Sequence, residues 1–345
     1  MKVECLGNPR CVFDANLTQP AFFALWDVAH RTTKAILPGA RLIGPSIADG
    51  GPGLFGWPSV FPWLQRFLLH THAAGTAPDV LSWHVTMVAA NATILIEHHA
   101  ELTAWCLGQG IPTPAIGHNE VMGPAETLDA AANVAYLTAL ERLGVDHACR
   151  ACWTDKDTGQ SPCFDNTLDG LLTDDCPHGS PLAPGCEPLA PRPSYYVTAW
   201  YAAVVGRPAL LVAASPGCRG NLVGFAAGAA PTAATVGAES SGNGSTLLHF
   251  GRFWQSGLAN ATDVVLEFGP GAVPAGATSC GVAIERVVSG VGEQPRKAGA
   301  PTQLGRQMVR VAAGGILRVA VSGVALRDAY RVDVSDCRSP VPFPT

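Results

Sequence analysis

The feature that most constrains this chain is a period. Through the first 206 residues, short apolar segments of strand length alternate with stretches whose apolar residues fall at helical spacing, and the strands recur about every 33 to 40 residues. The order is "VECLG", the helix "QPAFFALWDVAHRTTKAI", "ARLIGPS", the helix "WPSVFPWLQRFLLHTHA", then "PDVLSWH". A long helix through "NATILIEHHAELTAWCLGQG" follows, closed by Gly110, and then "TPAIGHNE", the helix "AETLDAAANVAYLTALERLG" and "HACRACW". Strands that alternate with helices must run parallel, because only a crossover returns the chain to the same edge. The spacing is near the roughly 31 residues per unit of an eightfold barrel.

Five strands of this kind can be counted where a closed barrel needs eight, and five parallel strands leave an open edge. The first part therefore reads as a partial (β/α)8 TIM-type barrel of about five units. Its first three units are missing, as in a fragment or truncated gene, unless a partner supplies them. After Gly206 the pattern changes to short runs separated by Gly, Pro, Asn and Ser: "PALLVAA", "NLVGFAAG", "STLLHFGRF", "TDVVLEFG", "CGVAIERVVSG", "QMVRVAA", "ILRVAVSG" and "AYRVDVS". This predicts an all-β sandwich. The helix "SYYVTAWYAAVVG" closes the first domain, so the boundaries are 1–206 for the barrel and 207–345 for the sandwich.

Composition then narrows the function. A net charge of -5 offers no basic footprint for nucleic acid or an anionic membrane. No run of 18 apolar residues is free of polar breaks, so no membrane span is expected. The start, "MKVECLGNPRC", lacks the apolar core of a signal peptide. Other features point outwards. Cys149, Cys152, Cys163, Cys176 and Cys186, five of the 11 cysteines, crowd one loop-rich stretch, and four asparagines (Asn16, Asn91, Asn243, Asn260) sit in N-x-[ST] sequons. Both suit an oxidising, secretory compartment. The cysteine cluster reads as disulfides rather than zinc, since "CRAC" has no second C-x-x-C partner. The odd total leaves one thiol over, and Cys106, on a helix, is the candidate for a buried one. His98 and His99 invite a metal reading, but adjacent helical residues diverge by about 100°. No metal or organic cofactor is expected. The Gly-rich "GAAPTAATVGAESSGNGS" lacks the phosphate-loop pattern and reads as a sandwich loop.

In a βα barrel the working residues stand at the C-terminal ends of strands. Those ends are Asn8, Gly44 to Ser46, His84, Glu120 and Trp153. One carboxylate, polar side chains, a histidine and an aromatic suit a sugar-cleaving pocket. The bland reading makes Glu120 a solvated loop carboxylate, His84 a satisfied core histidine and Trp153 a packing residue.

The segments "RLIGPSIA", "DVLSWH", "GHNEV", "YLTALERLGVDHACRACW" and "SYYVTAWYAAVVGRP", in this order, resemble the second half of a family 39-like glycoside hydrolase of the clan A (β/α)8 superfamily. The resemblance spans residues 3 to 210 and is weaker through the sandwich. It implies that Glu120, in an Asn-Glu context, is the nucleophile of a retaining hydrolysis. It further implies that His84 and Asn119 orient that Glu or bind sugar hydroxyls, that Trp153 floors the subsite with Arg150 before it, and that Ser46 contacts substrate. The family's E-x-W-N-E-P pattern departs here to "ECLGNPR". Glu4 and Pro9 hold their places, but Gly7 replaces the Asn and Asn8 the acid/base Glu. Retaining hydrolysis needs two carboxyl groups about 5–5.5 Å apart. Asn8 carries no titrating proton, and Glu4, four residues deeper, stands about 13 Å from the mouth. Asp14 and Asp49, on loops after strands, are the carboxylates that could swing in.

Two readings follow: a monomeric, secreted retaining glycoside hydrolase acting on poly- or oligosaccharide, or a non-catalytic carbohydrate-binding protein that kept the pocket. A third, a zinc-bearing structural protein built on Cys149 to Cys186, comes last.

Overall fold

The computed structural model describes residues 19–47, 57–85, 92–122, 129–150, 171–174, 188–207, 209–210, 222–228, 245–252, 261–289 and 300–339. The strand "VECLG", Asn8, Asp14, Asp49, Trp153, the four sequon asparagines and Cys152, Cys163, Cys176 and Cys186 lie outside the described residues. The chain forms two compact units, Met1–Gly123 with Ala139–Ala151, and Pro124–Thr138 with Cys152–Thr345.

The first unit alternates as its sequence predicts: α1 (Gln19–Ile36), β1 (Ile43–Ile47), α2 (Trp57–Ala74), β2 (Val80–Val85), α3 (Thr93–Gln109) and β3 (Ala115–Val121). α1 buries Phe22, Phe23 and Trp26, one face of a 3.6-residue period. Against them stand the α2 aromatics, with ring centroids 5.4 Å apart for Phe22–Trp63 and 5.2 Å for Trp26–Phe67. Beyond α1, Lys34 Nζ donates to Asp79 Oδ2 at 2.9 Å, and the same carboxylate oxygen accepts the Leu42 N–H at 2.7 Å. One side chain thus ties the end of α1 to the starts of β1 and β2. α3 ends at Gly110, whose φ of 69° closes the helix in the left-handed region.

β1, β2 and β3 pair in parallel and in that order. Beyond β3, the segment 146–149 continues the ladder: the His118 N–H donates to the His147 carbonyl, and the Cys149 N–H to the His118 carbonyl, both at 2.9 Å. A parallel bridge joins His118 to Ala148. The segment "HACRACW" therefore begins as the next parallel strand. Before it, α4 (Ala130–Leu143) starts five residues later than its apolar pattern suggests. Asp129 sets that start, its Oδ1 accepting the Ala132 N–H at 2.9 Å as an N-cap.

The second unit holds a short hairpin, β4 (Leu172–Asp174) with β5 (Pro188–Pro191), and the helix α5 (Pro193–Ala202). Its antiparallel sheet comprises β6 (Ala209–Leu210), β7 (Leu222–Ala227), β8 (Thr246–Arg252), β9 (Ala261–Phe268), β10 (Ser279–Val287), β11 (Thr302–Ala312), β12 (Ile316–Ala325) and β13 (Ala329–Arg338). The strand order is β6-β7-β8-β13-β10-β11-β12-β9. Phe250 of β8 shares one buried core with Leu266 of β9, five places along that order, together with Val282 and Val319. The sheet therefore curls over itself, which makes it a sandwich. On its other face a second cluster gathers Ala130 and Val134 of α4, Val197 and Trp200 of α5, Val287 and Ala329.

Cys280 and Cys337, on the paired strands β10 and β13, form a disulfide. Cys106 is a free, buried thiol as expected, and burial pushes its pKa up. Cys149, expected to be oxidised with its cluster, is a free, exposed thiol. No described helix is long and apolar enough to cross a membrane. Among the described residues no group of three or more His, Cys, Asp or Glu is arranged to hold a metal ion.

Candidate active site

Two β-bulges shape the C-terminal ends of the parallel strands. Along β1 and β2, Pro45 pairs with Ser82 and Ile47 with Trp83, so Ser46 is the extra residue. Between β2 and β3, Trp83 pairs with His118 and His84 with Glu120, so Asn119 is the extra residue. Regular alternation would put His118 and Glu120 on one face. The bulge separates them: His118 turns to α3 and Glu120 to β2. Ser46, with a φ of 62°, holds a conformation that non-glycine residues adopt only where their surroundings over-determine it.

The two bulge residues meet. Asn119 Nδ2 donates to Ser46 Oγ at 2.6 Å, and Ser46 Oγ lies 3.3 Å from His84 Nε2. His84 Nδ1 is 2.8 Å from Glu120 Oε2. Ser46, His84 and Glu120 are all buried, at 4%, 2% and 5% exposure. A carboxylate only accepts hydrogen bonds, so His84 carries its proton on Nδ1, which leaves Nε2 to accept from the Ser46 hydroxyl. Each hydrogen bond in the series then joins a donor to an acceptor. Removing one member leaves a buried polar group unpaired, a loss of about 1–3 kcal/mol.

The network continues through a residue the sequence reading missed. His147 Nε2 donates to Asn119 Oδ1 at 3.1 Å, and His147 Nδ1 lies 3.2 Å from Asp146 Oδ2. Asp146 Oδ1 accepts from Arg41 at 2.5 Å. The hydrogen bond from Arg41, with that of His147, holds the Asp146 carboxyl below its usual range. A signal for His147 was present in Gly117. A Cβ there would stand 2.2 Å from the imidazole, so the ring lies across the strand only because position 117 has no side chain.

The other expected residues are placed differently. Arg150 Nη1 donates to Met122 Sδ at 3.0 Å, two positions past Glu120. Asn8 and Trp153 are outside the described residues. The adjacent His98 and His99 go separate ways, as a helical step requires. His98 stacks on Trp57 with centroids 4.0 Å apart, while His99 Nε2 meets His118 Nε2 at 2.9 Å. Burial lowers the His99 pKa to about 4 and that of His118 to about 3, so this pair is neutral and shares one proton between facing nitrogens.

No family model and no curated protein matches this chain by sequence. Solved structures do match in three dimensions. N2152 from Neocallimastix frontalis aligns with a TM-score of 0.62 at 17% identity, covering 91% of this chain and 65% of that one. A GH39 enzyme from Xanthomonas axonopodis pv. citri aligns at 0.59 and 14% identity, covering 93% and 65%. AbfB, a family 51 alpha-L-arabinofuranosidase from Bifidobacterium longum, aligns at 0.53 and 12% identity, covering 92% and 64%. What these structures share with this chain is the fold. At these identities the likeness does not single out family 39, and this chain spans about 65% of the length of the first two structures.

Proposed function

We propose that the chain is a retaining glycoside hydrolase whose nucleophile is Glu120, acting on glycosidic bonds of poly- or oligosaccharide in a secretory setting. The observation that carries this reading is the His84–Glu120 pair, a buried carboxylate 2.8 Å from an imidazole at the ends of adjacent parallel strands. Fold-level likeness to glycoside hydrolases raises the prior and does not itself assign the activity. In the proposed reaction Glu120 attacks the anomeric carbon and forms a glycosyl-enzyme intermediate that water then hydrolyses. His84 holds the carboxylate in aim and Asn119 orients the site or binds a hydroxyl. Trp153 and Arg150 bind substrate, and Ser46 contacts it from β1.

Asn8 at the acid/base position favours a second reading, a carbohydrate-binding protein without turnover. General acid/base help contributes about 10²–10⁴ in rate, and ordinary glycosides need it most. The test is a panel of activated aryl glycosides, whose leaving groups need little protonation. A burst of phenol that Glu120→Ala abolishes supports the hydrolase. Oligosaccharide binding by a folded protein that releases no phenol from any sugar overturns it in favour of binding.

A further inference from the structure

Retaining hydrolysis needs a second carboxyl group, yet the described residues hold a hydroxyl, an imidazole and a carboxylate in the order a different reaction uses. Ser46 Oγ lies 3.3 Å from His84 Nε2, and His84 Nδ1 lies 2.8 Å from Glu120 Oε2. This is the order of a hydroxyl nucleophile, an imidazole base and an orienting carboxylate, a constellation known by its geometry and roles rather than by its fold. The local sequence agrees. Gly44-Pro45-Ser46-Ile47-Ala48 follows the G-x-S-x-G pattern with Ala for the last glycine. Ser46 stands at the end of a strand with a φ of 62°, the kind of strained backbone that presents a nucleophilic serine. The next helix, α2, begins at Trp57, further along than in the usual strand–turn–helix form.

We propose that Ser46, His84 and Glu120 form an acyl-transfer site that cleaves carboxylic esters. That the ester is carried on a sugar rests on the carbohydrate reading above; the chemistry of the triad does not. The steps balance without any further reactant than water. Ser46 Oγ bonds to the ester carbonyl carbon while its proton passes to His84 Nε2 and the carbonyl π electrons move to oxygen. Asn119 Nδ2, now 2.6 Å from Oγ, is the side-chain donor placed to take the developing negative charge. As the tetrahedral species collapses, the bond to the alcohol oxygen breaks and that oxygen takes the proton from Nε2. Water repeats the sequence on the acyl-serine, releasing the carboxylic acid and restoring the hydroxyl. Glu120 keeps the imidazole proton on Nδ1 and stabilises the imidazolium.

The test treats the protein with a fluorophosphonate probe, maps the label by peptide mass spectrometry, and follows p-nitrophenyl acetate turnover in parallel. The expected label is on Ser46, and Ser46→Ala, checked for cooperative melting, loses both label and at least ~10²-fold of ester turnover. Mapping on the unsubstituted protein stands even where the variant does not fold. A folded protein that takes no label, or takes it on another residue, overturns the proposal. The aryl glycoside panel is read separately. Glycoside turnover without labelling overturns the acyl site alone, and labelling of Ser46 without glycoside turnover supports the acyl site while the hydrolase reading falls.

Discussion

One parallel strand of the first unit, β2, and one antiparallel strand of the second, β9, treat polar residues in opposite ways. β2 is buried at all six positions, whereas β9 follows the pattern of a strand with one wet face, with Val264, Leu266 and Phe268 inside and the residues between them exposed. On β9 an outward polar residue is solvated and carries no information. On β2 every polar residue is away from water, so Ser82 and His84 cost free energy unless something satisfies them. Of the two, Ser82 Oγ has no hydrogen-bond partner among the described residues, whereas His84 has two.

The largest expected effect tests that contrast directly. Leu81→Asp, at a fully buried position of β2, should cost more than about 4 kcal/mol and unfold the first unit, while Val265→Asp on the exposed face of β9 should stay within about 0.5 kcal/mol. Urea melts of the two variants side by side decide it. Equal losses would mean that the two layers do not differ in the way argued.

Acid gives the next effect. The folded pKa values of His99 and His118 are depressed by burial to about 4 and about 3, from 6.5 in the unfolded chain. Their contribution is fully present above pH 6.5 and is lost as pH falls towards those folded values, because only the unfolded chain binds protons in that window. By pH 5 the loss is on the order of 2 kcal/mol per ring. Melting temperatures measured from pH 7 to pH 4.5 should fall accordingly, and His99→Leu combined with His118→Leu should flatten the slope.

Gly117→Ala comes third. The new methyl displaces His147, at a cost of about 1–3 kcal/mol, and breaks its bond to Asn119 without touching Glu120. Aryl glycoside and ester turnover in this variant report how far the outer part of the network matters. Smallest of all, Arg318→Ala removes a pair to Glu267 whose side chains are 63% and 56% exposed, and should change stability by less than about 0.5 kcal/mol. A larger loss there would show that the wet face of the sandwich also carries structure.

Much of the fold was legible because long apolar periods leave little choice. α1 and α2 start at the predicted residues Gln19 and Trp57, and each sandwich strand overlaps its predicted run. β11 departs most at its start. It begins at Thr302, five residues before its predicted start at Gln307, because its first seven residues are exposed and show no alternation to read. The hairpin β4–β5 hid for another reason: "PLAP" carries two prolines, which argue against a strand except at an edge. At the site, Ser46, His84 and Glu120 were named from strand ends and Asn119 from the family resemblance. What period-2 counting does not show is that bulges turn Ser46 and Asn119 towards each other, or that His147 enters from the start of the following strand.

The Cys280–Cys337 bond has a practical consequence for anyone handling the protein. Its two cysteines are 57 residues apart and enclose β11 and β12. A single protease cut anywhere between them separates no fragment. The nicked protein runs as one band on a gel until it is reduced, so clipping in this segment passes unnoticed in any preparation checked only without reductant.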